Sequence, residues 1–252
     1  MSEHLHQMVG ELQANQDTYE PNESVRRKLS EYTLTLLIGP TATGKSTLIQ
    51  EIINQDDRFS DVGILSTRAA RADDPPHYRT NVPIADMTQQ VADGSLVQYH
   101  VHPSGDIYAT DLESYETKYS ILPAMSDSVE KFLKLGFGRV VMVGVYLHGR
   151  HWEDRLRERE NDPGFMARLD EASISLEWMI ENSKVKRFRE TAVDLNLVEN
   201  SNGQLEQAAQ KIIQISGSHT QVPYNRTRFK TRFFEMNAII RNLKLNHEPR
   251  NT

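Results

Sequence analysis

The sequence predicts an α/β fold, a parallel sheet covered on both sides by helices, and three observations carry that prediction. A strand, a glycine loop and a helix follow one another over 33–54. Apolar strands then alternate with helical segments as far as residue 215, and the run 139–146 is apolar enough for a strand buried on both faces. The 252 residues fit one domain of roughly 180 to 200 residues with appendages.

Composition narrows the class. The chain is 38% hydrophobic and 25% charged, with a formal net charge of -6 and no cysteine. Without cysteine there is no disulfide framework, no thiolate metal site and no cysteine nucleophile. The longest apolar run, 140–147, is far shorter than the roughly 20 residues of a membrane span, so no membrane partner is expected. The polar start MSEHLHQMVGELQ has no signal-peptide pattern, and the cytoplasm is the expected compartment. Seven Lys/Arg stand against two Asp/Glu over 217–252, which leaves the preceding residues at -11. Such a basic tail could touch an acidic surface or dock on its own acidic body; nucleic acid is not the expected partner.

In chain order, Leu5, Met8, Val9 and Leu12 recur at helical spacing before a polar linker at 17–24 that contains Pro21. Strands are expected at 33–38 and 62–66, with a helix at 45–54 between them. A helix at 84–92 stops at Asp93-Gly94, and strands at 95–102 and 106–110 flank the turn residues Pro103, Ser104 and Gly105. A helix at 125–135 ends at Gly136 and the strand 139–146 follows. A charged helix at 152–159, a break at 162–164, a long helix to about 182, a strand at 192–198 and a helix at 204–215 complete the domain. Phe229, Phe233, Met236, Ile240 and Leu243 step by three and four, which predicts an amphipathic helix over 227–245. It would pack on its own domain or on a partner subunit, as in a homodimer.

The segment Gly39-Pro40-Thr41-Ala42-Thr43-Gly44-Lys45-Ser46 fits G-x-x-x-x-G-K-[ST] after a strand and at the start of a helix. Glycines let successive N–H groups face phosphate oxygens, Lys45 supplies a point charge, and the Ser46 hydroxyl can ligate Mg2+. A bound nucleoside triphosphate, ATP with Mg2+, is therefore expected at Gly39, Thr41, Ala42, Thr43, Gly44, Lys45, Ser46 and Thr47. The loop alone also resembles that of the tRNA prenyltransferases, but the next strand leads into Ser66-Thr67-Arg68-Ala69-Ala70-Arg71 instead of that family's Asp-Ser turn.

Thr67-Arg68-x-x-Arg71-x-x-Asp74 followed by Tyr78 resembles the acceptor-binding signature of the guanylate kinase family. Ser104-Gly105-Asp106-Ile107-Tyr108-Ala109-Thr110 resembles its S-G-N-x-Y-G-T segment. Arg155-Leu156-x-x-Arg159 and Arg168-Leu169 resemble its lid arginines, and Asn200 the asparagine after its last core strand. The resemblance covers 33–215. It implies a P-loop nucleoside-monophosphate-kinase-like domain at 31–216, with a small mixed acceptor-binding subdomain at about 66–112 and a helical lid at about 150–170. Residues 1–30 would be an N-terminal helical and linker extension, and 217–252 a basic amphipathic tail.

By the same resemblance, Arg68, Arg71, Tyr78, Gln98, Tyr108 and Thr110 would hold a small phosphorylated acceptor. Lys45, Arg155, Arg159 and Arg168 would act on the transferring phosphate, and Asn200 would contact the nucleotide. Arginines suit that work because a planar fork grips phosphate oxygens at two points. The base pocket departs from the family: its guanine-reading glutamate falls on Gln98, or on Tyr99 if the spacing shifts by one. The strand end Val143-Gly144-Val145 has no acid, and Ile64 stands where the family places a serine. The expected activity is ATP-dependent phosphoryl transfer to a phosphorylated small acceptor without guanine preference. The alternatives are a degenerate module that binds a phosphorylated ligand without turnover, and a nucleotide-dependent regulator that contacts nucleic acid through its tail. His100 and His102 alternate on one strand face, where solvated side chains are expected rather than metal ligands, and Trp152 and Trp178 are expected to serve packing.

Overall fold

The computed structural model describes residues 3–72, 74–102, 104–162, 164–183, 194–218 and 225–247. In order, the elements are α1 (Glu3–Asn15), α2 (Glu23–Leu29), β1 (Thr33–Ile38), α3 (Lys45–Gln55), β2 (Phe59–Asp61), β3 (Leu65–Ser66), α4 (Ile84–Ala92), β4 (Leu96–Val101) and β5 (Ile107–Asp111). There follow β6 (Tyr119–Ala124), α5 (Val129–Lys134), β7 (Arg139–Tyr146), α6 (Gly149–Arg157), α7 (Phe165–Asn182), β8 (Leu195–Glu199), α8 (Leu205–Gly217) and α9 (Arg226–His247). The fold is mixed α/β, with a central parallel sheet flanked by helices and strand order β2-β6-β1-β7-β8. The described residues form two compact units.

One unit takes its residues from Leu34–Phe59, Ile121–Glu130 and Val140–Thr252. Strands β7 and β8 pair in parallel from Met142↔Leu195 to Tyr146↔Glu199. All six residues from Val141 to Tyr146 are buried, as the apolar run requires of a strand between two neighbours. On α3, Leu48, Ile49 and Ile52 are buried at three- and four-residue steps, and α3 packs on α8, whose Ala208, Ala209, Ile212 and Ile215 are buried. On α7 the buried face is Phe165, Leu169, Ala172, Leu176 and Met179. Phe229, Met236, Ile240 and Leu243 of α9 are buried, and that helix packs on α6 and α7 of its own chain.

The other unit takes its residues from Met1–Thr33, Ser60–Ser120 and Lys131–Arg139. Its sheet has the order β3-β5-β4, all antiparallel, with Leu65 also bridged in parallel to Arg79. Val9, Leu12, Leu65, Met87, Leu96, Tyr99, Val101, Ile107 and Ala109 form its core, so α1 and α4 supply one wall and the sheet the other. Segment 16–19 covers β4, the last strand of that sheet: Gln16 Oε1 accepts from the Val101 N–H at 2.8 Å, and Tyr19 donates its hydroxyl to Leu96 O at 2.7 Å.

Several elements differ from the expected ones. Of the expected strand 62–66 only β3 at Leu65–Ser66 forms, and 62–64 are an irregular link from β2. There Gly63 N–H donates to Ser114 O and Ile64 O accepts from Arg79 N–H, so loop partners take the bonds a strand neighbour would supply. Strand β6 was not expected because Pro123 interrupts its short apolar run. The linker 17–24 ends in a helix start: Asn22 Oδ1 accepts from Val25 N–H at 2.9 Å and caps α2. The helix expected at 125–135 is a 3-10 turn at Ser126–Ser128 followed by α5. Residues 192–193 of the strand expected at 192–198, Pro163 of the break at 162–164, Pro103, and tail residues 219–224 and 248–252 lie outside the described residues. No helix among the described residues is long and apolar enough to cross a membrane.

Candidate functional site

The loop Gly39–Ser46 leaves the carboxyl end of β1, the segment into α6 leaves that of its neighbour β7, and residues 200–204 leave that of β8. In open parallel sheets this end is where ligands bind. The first turn of the loop is set by Gly39: a Cβ there would stand 2.4 Å from Val145 O, so only glycine lets the loop pass β7 this closely. Ala42 and Gly44 then take left-handed conformations, with φ of 60° and 84°, and Gly44 caps the start of α3. A Cβ on Gly44 would meet Asn200 Nδ2 at 2.6 Å and Arg155 Nη1 at 3.2 Å.

Three side chains from other elements hold the loop. Asn200 is buried and donates Nδ2–H to Thr43 O at 2.8 Å. Trp152, buried in α6, donates its indole N–H to Thr41 O at 2.8 Å, so it orients the loop as well as packing. Arg155 donates to Ala42 O at 3.4 Å and to Asn202 Oδ1 at 2.8 Å. Within the loop, the Thr43 hydroxyl donates to Pro40 O at 2.8 Å. The Lys45 ammonium donates to Gly39 O at 2.5 Å and to Pro40 O at 3.1 Å. Burial pulls that ammonium from its usual range to about 8; the nearby Glu171 carboxylate works against the shift and the Arg159 guanidinium with it.

The loop borders a cavity of about 420 Å³ lined by Ala42, Gly44, Thr47, Arg155, Glu158, Arg159, Asn200, Ser201, Asn202, Gly203 and Leu205. Arg155 and Arg159, four residues apart, thus reach one site, whereas Arg157 between them pairs with Glu153 at 2.6 Å. Arg168 is not brought to this cavity; it pairs with Asp162 at 3.1 Å. Ser46 and Thr47 are exposed on the first turn of α3. Sequence reasoning missed the loop-holding role of Trp152 and the lining residues Glu158, Ser201, Asn202, Gly203 and Leu205. The polar turn after a predicted parallel strand was the available signal for the 201–203 residues.

In the other unit, strand register gathers the second set of residues. Gln98 pairs with Thr110, and His100 and Ser66 both lie opposite Tyr108, so these five share one face of the sheet. Tyr99 points the other way into the core and donates its hydroxyl to Leu12 O at 2.9 Å, which leaves Gln98 on the shared face. Arg68 is nearly buried and grips Asp74 at two points, Nη1 to Oδ2 at 2.9 Å and Nη2 to Oδ1, while the Arg71 N–H donates to Asp74 Oδ2 at 2.7 Å. These donors, Arg68 first, hold the Asp74 carboxyl at about 2. The nearby Tyr108 hydroxyl, after Asp74, also favours the charged form of Arg68.

The Tyr78 hydroxyl is pushed up to about 12, first by burial and then by the Asp61 and Asp74 charges. Asp61, whose carboxyl is itself raised by burial against the pull of His77 at 3.4 Å, is an acid near this face that sequence reasoning missed. Arg71 is exposed, and Thr110 is buried with its hydroxyl 3.2 Å from that of Tyr115. The end of β7 carries no acid. His102 contacts Ser104 at 2.8 Å, and no group of three or more potential metal-ligating side chains exists among the described residues.

No protein-family model matches the chain. A guanylate kinase of Bdellovibrio bacteriovorus is 29% identical over 87 residues, which are 34% of this chain and 46% of that protein; the match spans under half of the relative's length. The crystal structure of guanylate kinase from Anaplasma phagocytophilum aligns over 80% of this chain and 94% of that one, with a TM-score of 0.48 and 14% identity. Over those 87 residues the chain is similar in sequence to a guanylate kinase.

Proposed function

We propose that the chain is an ATP-dependent phosphotransferase that moves the terminal phosphate of ATP to a small phosphorylated acceptor of the nucleoside monophosphate kind, in the cytoplasm. The observation that supports this most is the convergence of the Lys45 loop, Arg155, Arg159 and Asn200 around a single cavity. The donors suit a triphosphate: a loop with left-handed residues and the guanidiniums of Arg155 and Arg159 border the cavity, and the Lys45 ammonium, folded onto the loop carbonyls, would turn to the phosphates when they bind. Phosphoryl transfer asks a protein mainly for position and charge neutralisation. An acceptor phosphate oxygen forms a bond to the γ-phosphorus, the bond from that phosphorus to the β-bridging oxygen breaks, and ADP departs with the electron pair. Lys45 and Arg155 would neutralise the oxygens on the donor side. Mg2+, held through Ser46 and the nucleotide's own phosphates, would supply further neutralisation.

The acceptor phosphate would bind at Arg71, Tyr78 and Tyr108, with Arg68 set in place by Asp74. Because Asp74 already takes two guanidinium N–H groups of Arg68, the exposed Arg71 is the cleaner probe. Arg71→Ala is expected to weaken acceptor binding about tenfold or more while ATP binding stays within twofold. Titration with each ligand checks this, and equal losses for both would remove Arg71 from the acceptor site.

The test of the function itself is coupled ADP release over a panel of nucleoside monophosphates and sugar phosphates. Turnover with at least one monophosphate is expected, with GMP a poor acceptor. Gln98 offers one acceptor oxygen and one donor NH2 where guanine presents two donors, so Gln98→Glu is expected to raise kcat/KM for GMP about tenfold relative to AMP and a pyrimidine monophosphate. ATP binding without ADP release for any acceptor would overturn the transferase reading.

A further inference from the structure

α9 lies beyond the 33–215 span of the guanylate kinase-like motifs, yet its side chains reach the supports of the nucleotide cavity. Glu199, the last residue of β8, directly precedes Asn200, which holds the glycine loop. Its carboxylate is only 9% exposed; it accepts from Arg228 Nε at 2.6 Å and from the hydroxyl of cavity-lining Ser201 at 2.8 Å, and lies 3.6 Å from Arg232 Nε. Arg232, 17% exposed, turns its Nη1 to both oxygens of Glu235 at 3.0 Å. Glu235 in turn accepts from the N–H of Gly149, the first residue of α6, at 3.2 Å.

The Arg232 guanidinium therefore lies between the two elements that grip the loop: it is hydrogen-bonded to Glu235 on the α6 side, and its buried Nε, without a hydrogen bond, faces Glu199 of the 199–202 turn at ion-pair distance. The last turn of α9 is pinned as well, by Lys244 to Asp170 at 2.5 Å and by His247 to Glu160 at 3.3 Å. Exposed ion pairs set little, but without Arg232 the nearly buried Glu199 carboxylate keeps only the half-exposed Arg228 as a cation, and Glu235 loses its arginine.

We propose that Arg232 is a positioning residue for the nucleotide site, coupling the C-terminal helix to the Asn200 turn and to α6 so that both hold the glycine loop in its binding conformation. This rests on the nucleotide-binding reading of that loop, and two measurements separate the two ideas. The full chain carrying Arg232→Ala is compared with wild type, Arg232→Lys and Arg157→Ala, by equilibrium titration with ATP and Mg2+ and by hydrogen exchange of the 39–47 amides.

Arg232→Ala is expected to raise the ATP Kd about tenfold and to speed exchange across 39–47. Arg232→Lys recovers part of both, because one ammonium cannot bridge two carboxylates as a fork does. Arg157→Ala, whose partners are Glu153 and Glu160, matches wild type. Should Arg232→Ala fail to fold, Glu235→Gln keeps the shape and carries the same test with a smaller rise. A lower melting temperature with wild-type Kd and wild-type loop exchange would overturn the proposal and leave α9 a packing element. A wild-type protein that binds no ATP would sink the nucleotide reading, while the exchange data still decide whether Arg232 sets the loop.

Discussion

Lys45→Met is expected to lower ATP turnover by about two to three orders of magnitude while the chain stays folded, the scale of losing one preorganised charge from a water-poor site. An ammonium has three donors, and Lys45 spends two on Gly39 O and Pro40 O, which leaves one N–H for a ligand. Its titration near 8 gives the effect a pH signature. In the free wild-type protein ATP affinity should be level below about pH 8 and fall above it, as the neutral amine stops opposing phosphate charge; in Lys45→Met that step vanishes.

Stability moves the other way. The folded-state value near 8 lies below the roughly 10.4 of an exposed lysine, so the unfolded chain binds more protons between them, and Lys45 lowers stability as pH falls through about 8. Lys45→Met should therefore melt higher than wild type at pH 7. Turnover, an ATP titration from pH 6.5 to 9.5 and thermal melts check all three results; a variant with wild-type turnover would show that Lys45 does not face the reacting phosphates.

Gly39→Ala is expected to cost about 3 kcal/mol of folding stability, at the upper end for an inserted methyl, and with it nucleotide binding. The clash is methyl against main chain: a Cβ would come 2.4 Å from Val145 O and 3.3 Å from its carbonyl carbon. Val145 is buried inside β7 with β1 and β8 on either side, so it has no rotamer to change and little room to retreat. The loop must move instead, and it takes with it the Gly39 carbonyl that orients Lys45. A drop of about 6–12 °C in the melting temperature corresponds to that cost in a chain of this size. An unchanged urea midpoint would mean that the loop accommodates a methyl.

The parts of the site that are local in sequence were legible, because the loop carries its own conformational code: glycine where the chain passes β7, glycine where α3 begins, then Lys45. Arg155, Arg159 and Asn200 were legible only through the order of motifs, since nothing in their own neighbourhoods says that they converge on residues more than 100 positions earlier. The contribution of Trp152 was read as packing; an indole with a buried N–H is indistinguishable in sequence from one that holds a distant carbonyl. The pairing of Arg68 with Asp74 was hidden within a motif that was legible, because spacing shows that an arginine is present and not which anion already occupies it. Strand β6 and helix α2 were missed where proline masked them, Pro123 inside the strand and Pro21 beside the capping Asn22.

The covering of β4 by residues 16–19 changes what the first thirty residues are for. A terminal strand with free backbone groups is a template on which a second chain can grow a sheet, and proteins commonly blunt such strands with charge or proline. β4, sequence LVQYHV, has neither. Here a glutamine side chain takes the N–H of Val101 and a tyrosine hydroxyl the C=O of Leu96, one group at each end of the strand, in place of another backbone. What reads as an appendage in the sequence packs on that edge, and a chain shortened to begin at residue 31 is expected to self-associate more readily than the full chain in sedimentation.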